Sequence, residues 1–150
     1  IFTYRFQRIG RIFCLRCREQ LVGILAVSVR IENLSHLFGD ILTDLGAAIA
    51  GGMGLAAGAN LNPERKFPSM FEPIHGSAPD IAGQRISNPL ATVWSASQML
   101  EFFGHKQWAD RLIAVIEEIL VEKRVLTADL GGTATTSQVG DEVIRKLKEK

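Results

Sequence analysis

Residues Phe67 to Pro89 read FPSMFEPIHGSAPDIAGQRISNP, and the rest of the chain is arranged around this stretch. Pro68, Pro73 and Pro79 each lack a backbone donor and fix φ, so no regular helix can run across it. The stretch predicts a stiff polar loop with a carboxylate (Glu72), an imidazole (His75), a glycine followed by a hydroxyl (Gly76, Ser77), a second carboxylate (Asp80) and a hinge glycine (Gly83). A long polar loop of this kind is usually a binding loop. Gly76 lets the backbone approach a bulky partner, and the amides after it can donate to a phosphate or a base edge. Asp80, facing a ribose, would accept from both hydroxyls and repel a 2′-phosphate, which favours NAD over NADP. Gln84-Arg85 in the same loop adds a positive charge that works against that preference. Asn88 is both a possible adenine partner and a helix N-cap, with Pro89 at the first helical position, where a missing amide costs nothing. A purely structural connection would have the same spacing, so the residues alone leave both readings open.

After the loop the periodicity predicts a helix over Pro89 to Phe103, with Leu90, Val93, Trp94, Ser97, Leu100 and Phe103 near one face and Gly104 as its stop. A second helix is predicted over Lys106 to Lys123, where Trp108, Leu112, Val115, Ile116, Ile119 and Leu120 form an apolar stripe. The aromatic residues of both are expected in the core. Thr127 to Thr136 (TADLGGTATT) reads as a glycine-bearing loop, and Ser137 to Lys148 as a third amphipathic helix with Val139, Val143, Ile144 and Leu147. His105 falls at a helix boundary, in a cap or surface role.

Upstream, Asn62 to Lys66 reads as a polar surface turn, and Gly46 to Asn60 is rich in Ala and Gly, as at a helix contact or a tight sheet crossing. From Gly39 a helix is predicted, on which Asp40 and Asp44 project from one face a turn apart. That spacing suits two hard oxygen ligands for Mg²⁺ or Mn²⁺; it equally suits two acids that complement a helix dipole. Leu21 to Val29 is a candidate buried strand.

The chain of 150 residues, 47% of them hydrophobic, suits one domain with a core. A net charge of +1 neither favours nor excludes nucleic acid, but the charge is unevenly placed. Residues 1–39 hold six Arg, no Lys and two Glu, while the remainder holds all six Lys, five Arg and fourteen acids. Cys14-x-x-Cys17 lies in that first part without a second Cys pair, and the nearest His is His36, so neither a zinc site nor a redox role is favoured. The longest uncharged run, Leu45 to Pro63, holds five glycines, two asparagines and a proline, which argues for a buried element of a soluble protein and not a membrane span. The opening IFTYRFQRIGRIF has arginine spread through it and does not read as a secretory signal, so a cytoplasmic location is expected.

The string EPIHGSAPDIAG, preceded by NLSHLFGDILTDLGAAIAGGMGLAAGANLNP and followed by TADLGGTATTSQVGDEV, resembles the C-terminal part of the β-decarboxylating dehydrogenases, the isopropylmalate/isocitrate dehydrogenase superfamily. GANLNPERKFPSMFEPIHGSAPDIAG is most similar to its tartrate dehydrogenase/D-malate dehydrogenase branch. The likeness runs from Leu37 to about Leu147. The resemblance implies an α/β fold, with helices packed on an incomplete sheet over residues 37–150. Residues 1–36 stay unassigned. The change in Lys/Arg usage and family likeness at one point reads as a frameshift or a misjoined gene, and a diverged amino terminus would look the same.

For function, the resemblance implies oxidation of the CH–OH of a 2-hydroxy diacid of the D-malate or tartrate type, with hydride passing to NAD and a carboxylate lost as CO₂. It implies Asp40 and Asp44 as ligands of Mg²⁺ or Mn²⁺. It implies cofactor contacts at Glu72, His75, Gly76, Ser77, Ala78, Asp80 and Asn88. The family's third metal-binding aspartate, general-base lysine, acidic tyrosine and substrate-holding arginines lie upstream of the GDILTD helix. No Asp or Lys precedes Asp40 here, so no catalytic residue is assigned and the chain alone is expected to bind NAD weakly without turnover. The implied partners are a small diacid and, for the intact family enzyme, a second subunit in a homodimer; nucleic acid and membrane are not expected. A second reading is a non-catalytic remnant that acts as an interaction module with a full-length homologue.

Overall fold

The computed structural model describes residues 52–149. The strand expected over Leu21 to Val29, the helix expected from Gly39 and the Cys14/Cys17 pair lie outside the described residues. Two short strands, β1 (Ala57–Asn60) and β2 (Met70–Pro73), pair antiparallel with Ala57 opposite Pro73 and Asn60 opposite Met70. Three helices follow: α1 (Leu90–Phe102), α2 (Lys106–Glu122) and α3 (Thr136–Lys148). Single 3₁₀ turns stand at Met53–Leu55, Pro79–Ile81 and Ala128–Leu130.

Ala57 and Gly58 are buried, so α1 can pack directly on both strands and α2 can pack on α1 behind it. This settles the Ala/Gly-rich stretch as a tight sheet crossing at its C-terminal end. Asn62 to Lys66 is the exposed turn expected, closed by the Arg65 amide donating to the Asn62 carbonyl at 3.1 Å. Arg65 itself has φ 55°, and its guanidinium lies 4.9 Å from the Phe102 ring centroid while donating to the Phe102 carbonyl at 2.7 Å. The turn is thereby fastened to the end of α1.

Helix boundaries follow local chemistry. Pro89 has helical dihedrals (φ −85°, ψ −5°), and the Asn88 Oδ1 accepts from the Leu90 amide at 2.9 Å, so Asn88 caps α1 with proline in the first turn as the sequence predicts. Gly104, at φ 87°, ends α1 and donates to the Glu101 carbonyl. α3 starts one residue before the predicted Ser137 because Thr135 forms a capping box: its hydroxyl accepts from the Gln138 amide, and the Gln138 side chain accepts from the Thr135 amide at 2.8 Å.

The core lies between α1, α2, α3 and the strand-side turn, around Leu55, Leu90, Val115, Ile116, Ile119 and Val139. Each such side chain stabilises the fold by about 1.5–3 kcal/mol through burial. Ser97, on the apolar face of α1, is also buried because its hydroxyl donates to the Ala109 carbonyl of α2 at 2.9 Å. The expectation that the helix aromatics are core holds only for Trp94, which packs against the cluster. Phe103 and Trp108 are 58% and 60% exposed. They sit at the α1–α2 turn, where the apolar stripe runs off the end of the contact, and Ile144 on α3 is likewise 50% exposed.

One polar cluster was not expected. Lys146 is 4% exposed, and its ammonium donates to Glu122 at 2.6 Å and lies 3.6 Å from Glu118, so α3 is pinned to α2 by charge as well as by packing. The hydrogen bond to Glu122 holds the ammonium above the usual lysine range, against the desolvation that pulls it down. At the exposed side of α3 the Arg145 guanidinium pushes the Glu142 carboxyl below the usual range.

Candidate functional site

The predicted binding loop begins on β2 and ends on the cap of α1. Glu72 is on the strand opposite Gly58 and is exposed. The chain leaves the sheet with the Ile74 amide donating to the Ala56 carbonyl at 3.0 Å, which fixes the loop's entry. Two left-handed residues then turn it: Gly76 at φ 65° and Ala78 at φ 41°, ψ 63°. For alanine that conformation costs about 1–2 kcal/mol, and here it directs the chain into the Pro79–Ile81 turn. Gln84 Nε2 closes the turn onto the Asp80 carbonyl at 2.8 Å.

The surface this produces is open. Gly76, Ser77, Asp80 and Gly83 are all exposed, and a Cβ built on Gly76 or Gly83 would meet nothing within 4 Å. His75 is half-buried. Its Nδ1 faces the Gly76 carbonyl at 2.8 Å, and because a carbonyl only accepts, Nδ1 carries the proton. That leaves Nε2 as a buried acceptor with no hydrogen-bond partner among the described residues. Nε2 is covered from solvent and is not presented at the surface of the turn; what the turn offers a bulky ligand is the open space at Gly76 and Gly83.

Asn88 is placed differently from the other predicted contacts. It is 6% exposed, and its side chain is already used at both ends: Oδ1 accepts from the Leu90 amide, and Nδ2 donates to Asp129 Oδ2 at 2.9 Å. An amide nitrogen has a second N–H and an amide oxygen a second lone pair, so one donor and one acceptor direction remain. Asp129 also accepts from the buried Thr127 hydroxyl. Gly54 closes this pair from the other side, since a Cβ there would stand 2.5 Å from Asp129 Oδ2 and 3.1 Å from Asn88 Cβ.

The loop's exit is held by α3. The Thr136 amide donates to the Arg85 carbonyl at 2.9 Å, and the Thr136 hydroxyl donates to the Ser87 carbonyl at 2.6 Å. Arg85 has φ 60°, a left-handed backbone that turns its carbonyl toward that helix. Asp129 and Thr136 escaped the sequence reading because TADLGGTATT reads locally as a plain turn, and nothing local points across to residues 85–88. Asp40 and Asp44 lie outside the described residues; among the described residues no group of three or more His, Cys, Asp or Glu could hold a metal ion.

The isocitrate/isopropylmalate dehydrogenase family model matches residues 28–143. The chain belongs to this family. The match begins upstream of Leu37, where the resemblance of the sequence motifs starts. A probable tartrate dehydrogenase/decarboxylase of Agrobacterium vitis is 56% identical over 136 residues, covering 86% of this chain and 38% of the relative. The 3-isopropylmalate dehydrogenase of Thermobifida fusca (strain YX) is 52% identical over 115 residues, covering 77% of this chain and 31% of its own length. Among solved structures, isocitrate dehydrogenase from Methylococcus capsulatus superposes with a TM-score of 0.70 at 38% identity, over 75% of this chain and 33% of that one. The chain thus spans about a third of the length of the family members it matches. The α/β fragment expected from the sequence is the fold these neighbours share. No helix among the described residues is long and apolar enough to cross a membrane.

Proposed function

We propose that this chain is the C-terminal part of an NAD-dependent, divalent-metal-requiring dehydrogenase of the cytoplasm that oxidises and decarboxylates a 2-hydroxy diacid of the D-malate or tartrate type. The observation that carries the reading is the loop from His75 to Asn88: a braced turn that exposes Gly76, Ser77 and Asp80, with open space at Gly76 and Gly83. The name borne by the Agrobacterium relative supports tartrate, and the Thermobifida one keeps isopropylmalate in view.

In this reading NAD, once bound, takes up the hydride, and a Mg²⁺ or Mn²⁺ held with the help of Asp40 and Asp44 supplies Lewis-acid chemistry. What the described residues do is bind and orient. Gly76 and the amides that follow give close backbone approach, His75 shapes the turn through its Nδ1 bond to the Gly76 carbonyl, Asp80 takes the ribose hydroxyls, and Asn88 presents its remaining amide donor and acceptor to the adenine edge. Glu72 and Ala78 frame the entry to the same turn.

Saturation-transfer NMR on the 150-residue chain tests this directly. Transfer to the adenine and ribose protons of NAD, weaker for NADP and lost in Asp80→Arg, is expected. Absence of transfer from the wild-type chain would overturn the reading. With D-malate or tartrate, NAD and Mn²⁺, the chain alone is expected to give no sustained NADH production, since no Lys or Asp precedes Asp40.

The exposed Phe103 and Trp108 at the α1–α2 turn favour the second reading, a non-catalytic module that pairs with a full-length homologue. Co-purification of the chain with a dehydrogenase subunit, lost when both residues become serine, would support it; a strictly monomeric chain would count against it.

A further inference from the structure

We propose that Thr136 is a positioning residue for the His75–Asn88 loop, a proposal that rests on reading that loop as the cofactor-binding element. The first four amides of a helix lack intrahelical partners and are ordinarily satisfied by a cap or by water. At α3 the capping is done by Thr135 with Gln138, so Thr136 is released from that duty. Its amide instead goes to the Arg85 carbonyl at 2.9 Å, and its hydroxyl to the Ser87 carbonyl at 2.6 Å. One residue therefore holds two loop carbonyls on either side of Ile86.

The loop's own conformation requires such a hold. Arg85 sits at φ 60°, where a side chain is disfavoured, and strained backbone of this kind persists only where surrounding contacts impose it. Between Ala78 and Gln84 the loop is bonded mainly to itself, through the Ile81 amide to Ala78 and the Gln84 amide to Ile81. Its orientation on the domain is then set at its two ends. Ile74 fixes the entry, and Thr136, with Asp129 on Asn88, fixes the exit. Thr136 touches no ligand in this scheme: it acts through Arg85 and Ser87 on where Asp80 and the loop amides stand.

The test uses the full chain with Thr136→Val, which keeps the amide and the branched shape but removes the hydroxyl, and Thr136→Ser, which restores it. Two readouts are taken: NADH affinity by fluorescence titration, and hydrogen exchange of the Ile81 and Gln84 amides. Thr136→Val is expected to bind NADH about five-fold more weakly and to exchange those amides several-fold faster, with Thr136→Ser returning both to wild type. Equal affinity and exchange in all three proteins would overturn the proposal. So would equal losses in Val and Ser variants, which would make the residue merely structural. If the wild-type chain binds no NADH, the cofactor reading fails by itself, and the exchange data alone decide whether Thr136 braces the loop. Should Thr136→Val not fold, Thr136→Ala is read against Thr136→Ser by the same criteria.

Discussion

Asn88 donates from its side-chain amide to the carboxylate of Asp129, forty-one residues further along the chain, at 2.9 Å. The same side chain caps α1 through the Leu90 amide, so its two ends join the loop, the first helix and the Ala128–Leu130 turn. Removing a cap costs about 0.5–2 kcal/mol, and a hydrogen bond to a charged group is worth about 1.5–3 kcal/mol. Asn88→Ala is therefore expected to destabilise the chain by about 2–4 kcal/mol, and Asp129→Ala by a comparable amount, since the cap survives but the bond from the buried Thr127 hydroxyl is lost as well. Urea unfolding of both single variants and the double variant should show a coupling of about 1 kcal/mol or more. Strict additivity would mean that the two residues do not share a bond in solution.

Gly131 and Gly132 are neighbours with opposite requirements. Gly131 has φ 80° and open space around its missing Cβ, so Gly131→Ala should cost only the left-handed penalty, about 1–2 kcal/mol. A Cβ on Gly132 would stand 2.0 Å from the Leu126 carbonyl oxygen and 2.5 Å from its carbon. That is backbone, which cannot rotate away, so Gly132→Ala should cost about 3 kcal/mol or more. Thermal melts of the pair should place Gly132→Ala well below Gly131→Ala.

Ile116 is fully buried and Trp108 is 60% exposed, although both belong to the apolar stripe of α2. Ile116→Ala is expected to cost about 2–5 kcal/mol, whereas Trp108→Ser should stay within about 0.5 kcal/mol. The midpoint shift in denaturant for each checks this; a large loss for Trp108→Ser would mean the ring is covered in solution.

Lys146 gives the α2–α3 contact a pH dependence. Its folded pKa is raised, chiefly by the hydrogen bond to Glu122, so the stabilisation is complete below the ordinary lysine value and is lost as pH rises through the folded one. Wild type should lose thermal stability as pH rises above the ordinary lysine range, and Lys146→Met should show a flatter alkaline limb. Parallel limbs would show that Lys146 titrates as it does in the unfolded chain.

Much of this fold was readable because local rules and tertiary packing agree. Asn88-Pro89, Gly104 and the 3.6-residue period place α1 and α2 within a residue or so of their observed ends. Thr135-x-x-Gln138 is a capping signature that places the start of α3, though it is set in a run of threonines that reads as loop. Periodicity could not tell which part of a stripe stays covered at the end of a helix, and so it put Phe103 and Trp108 inside. For the loop, the residue types and prolines predict a stiff exposed turn, but its anchoring by Asp129 and Thr136 spans 41 and 49 positions of sequence and leaves no local pattern. Lys146 was hidden for a related reason: a lysine among helix charges looks solvated until two glutamates of another helix surround it.

The bond from Ile74 to Ala56 and those from Thr136 to Arg85 and Ser87 clamp the chain on both sides of the segment 75–84, whose own bonds stay mainly internal. Such a segment behaves as a replaceable cassette. Its length and side chains can drift, or be exchanged by grafting, while the clamps keep the ends in register, so the segment can be rewritten without the scaffold being refolded each time.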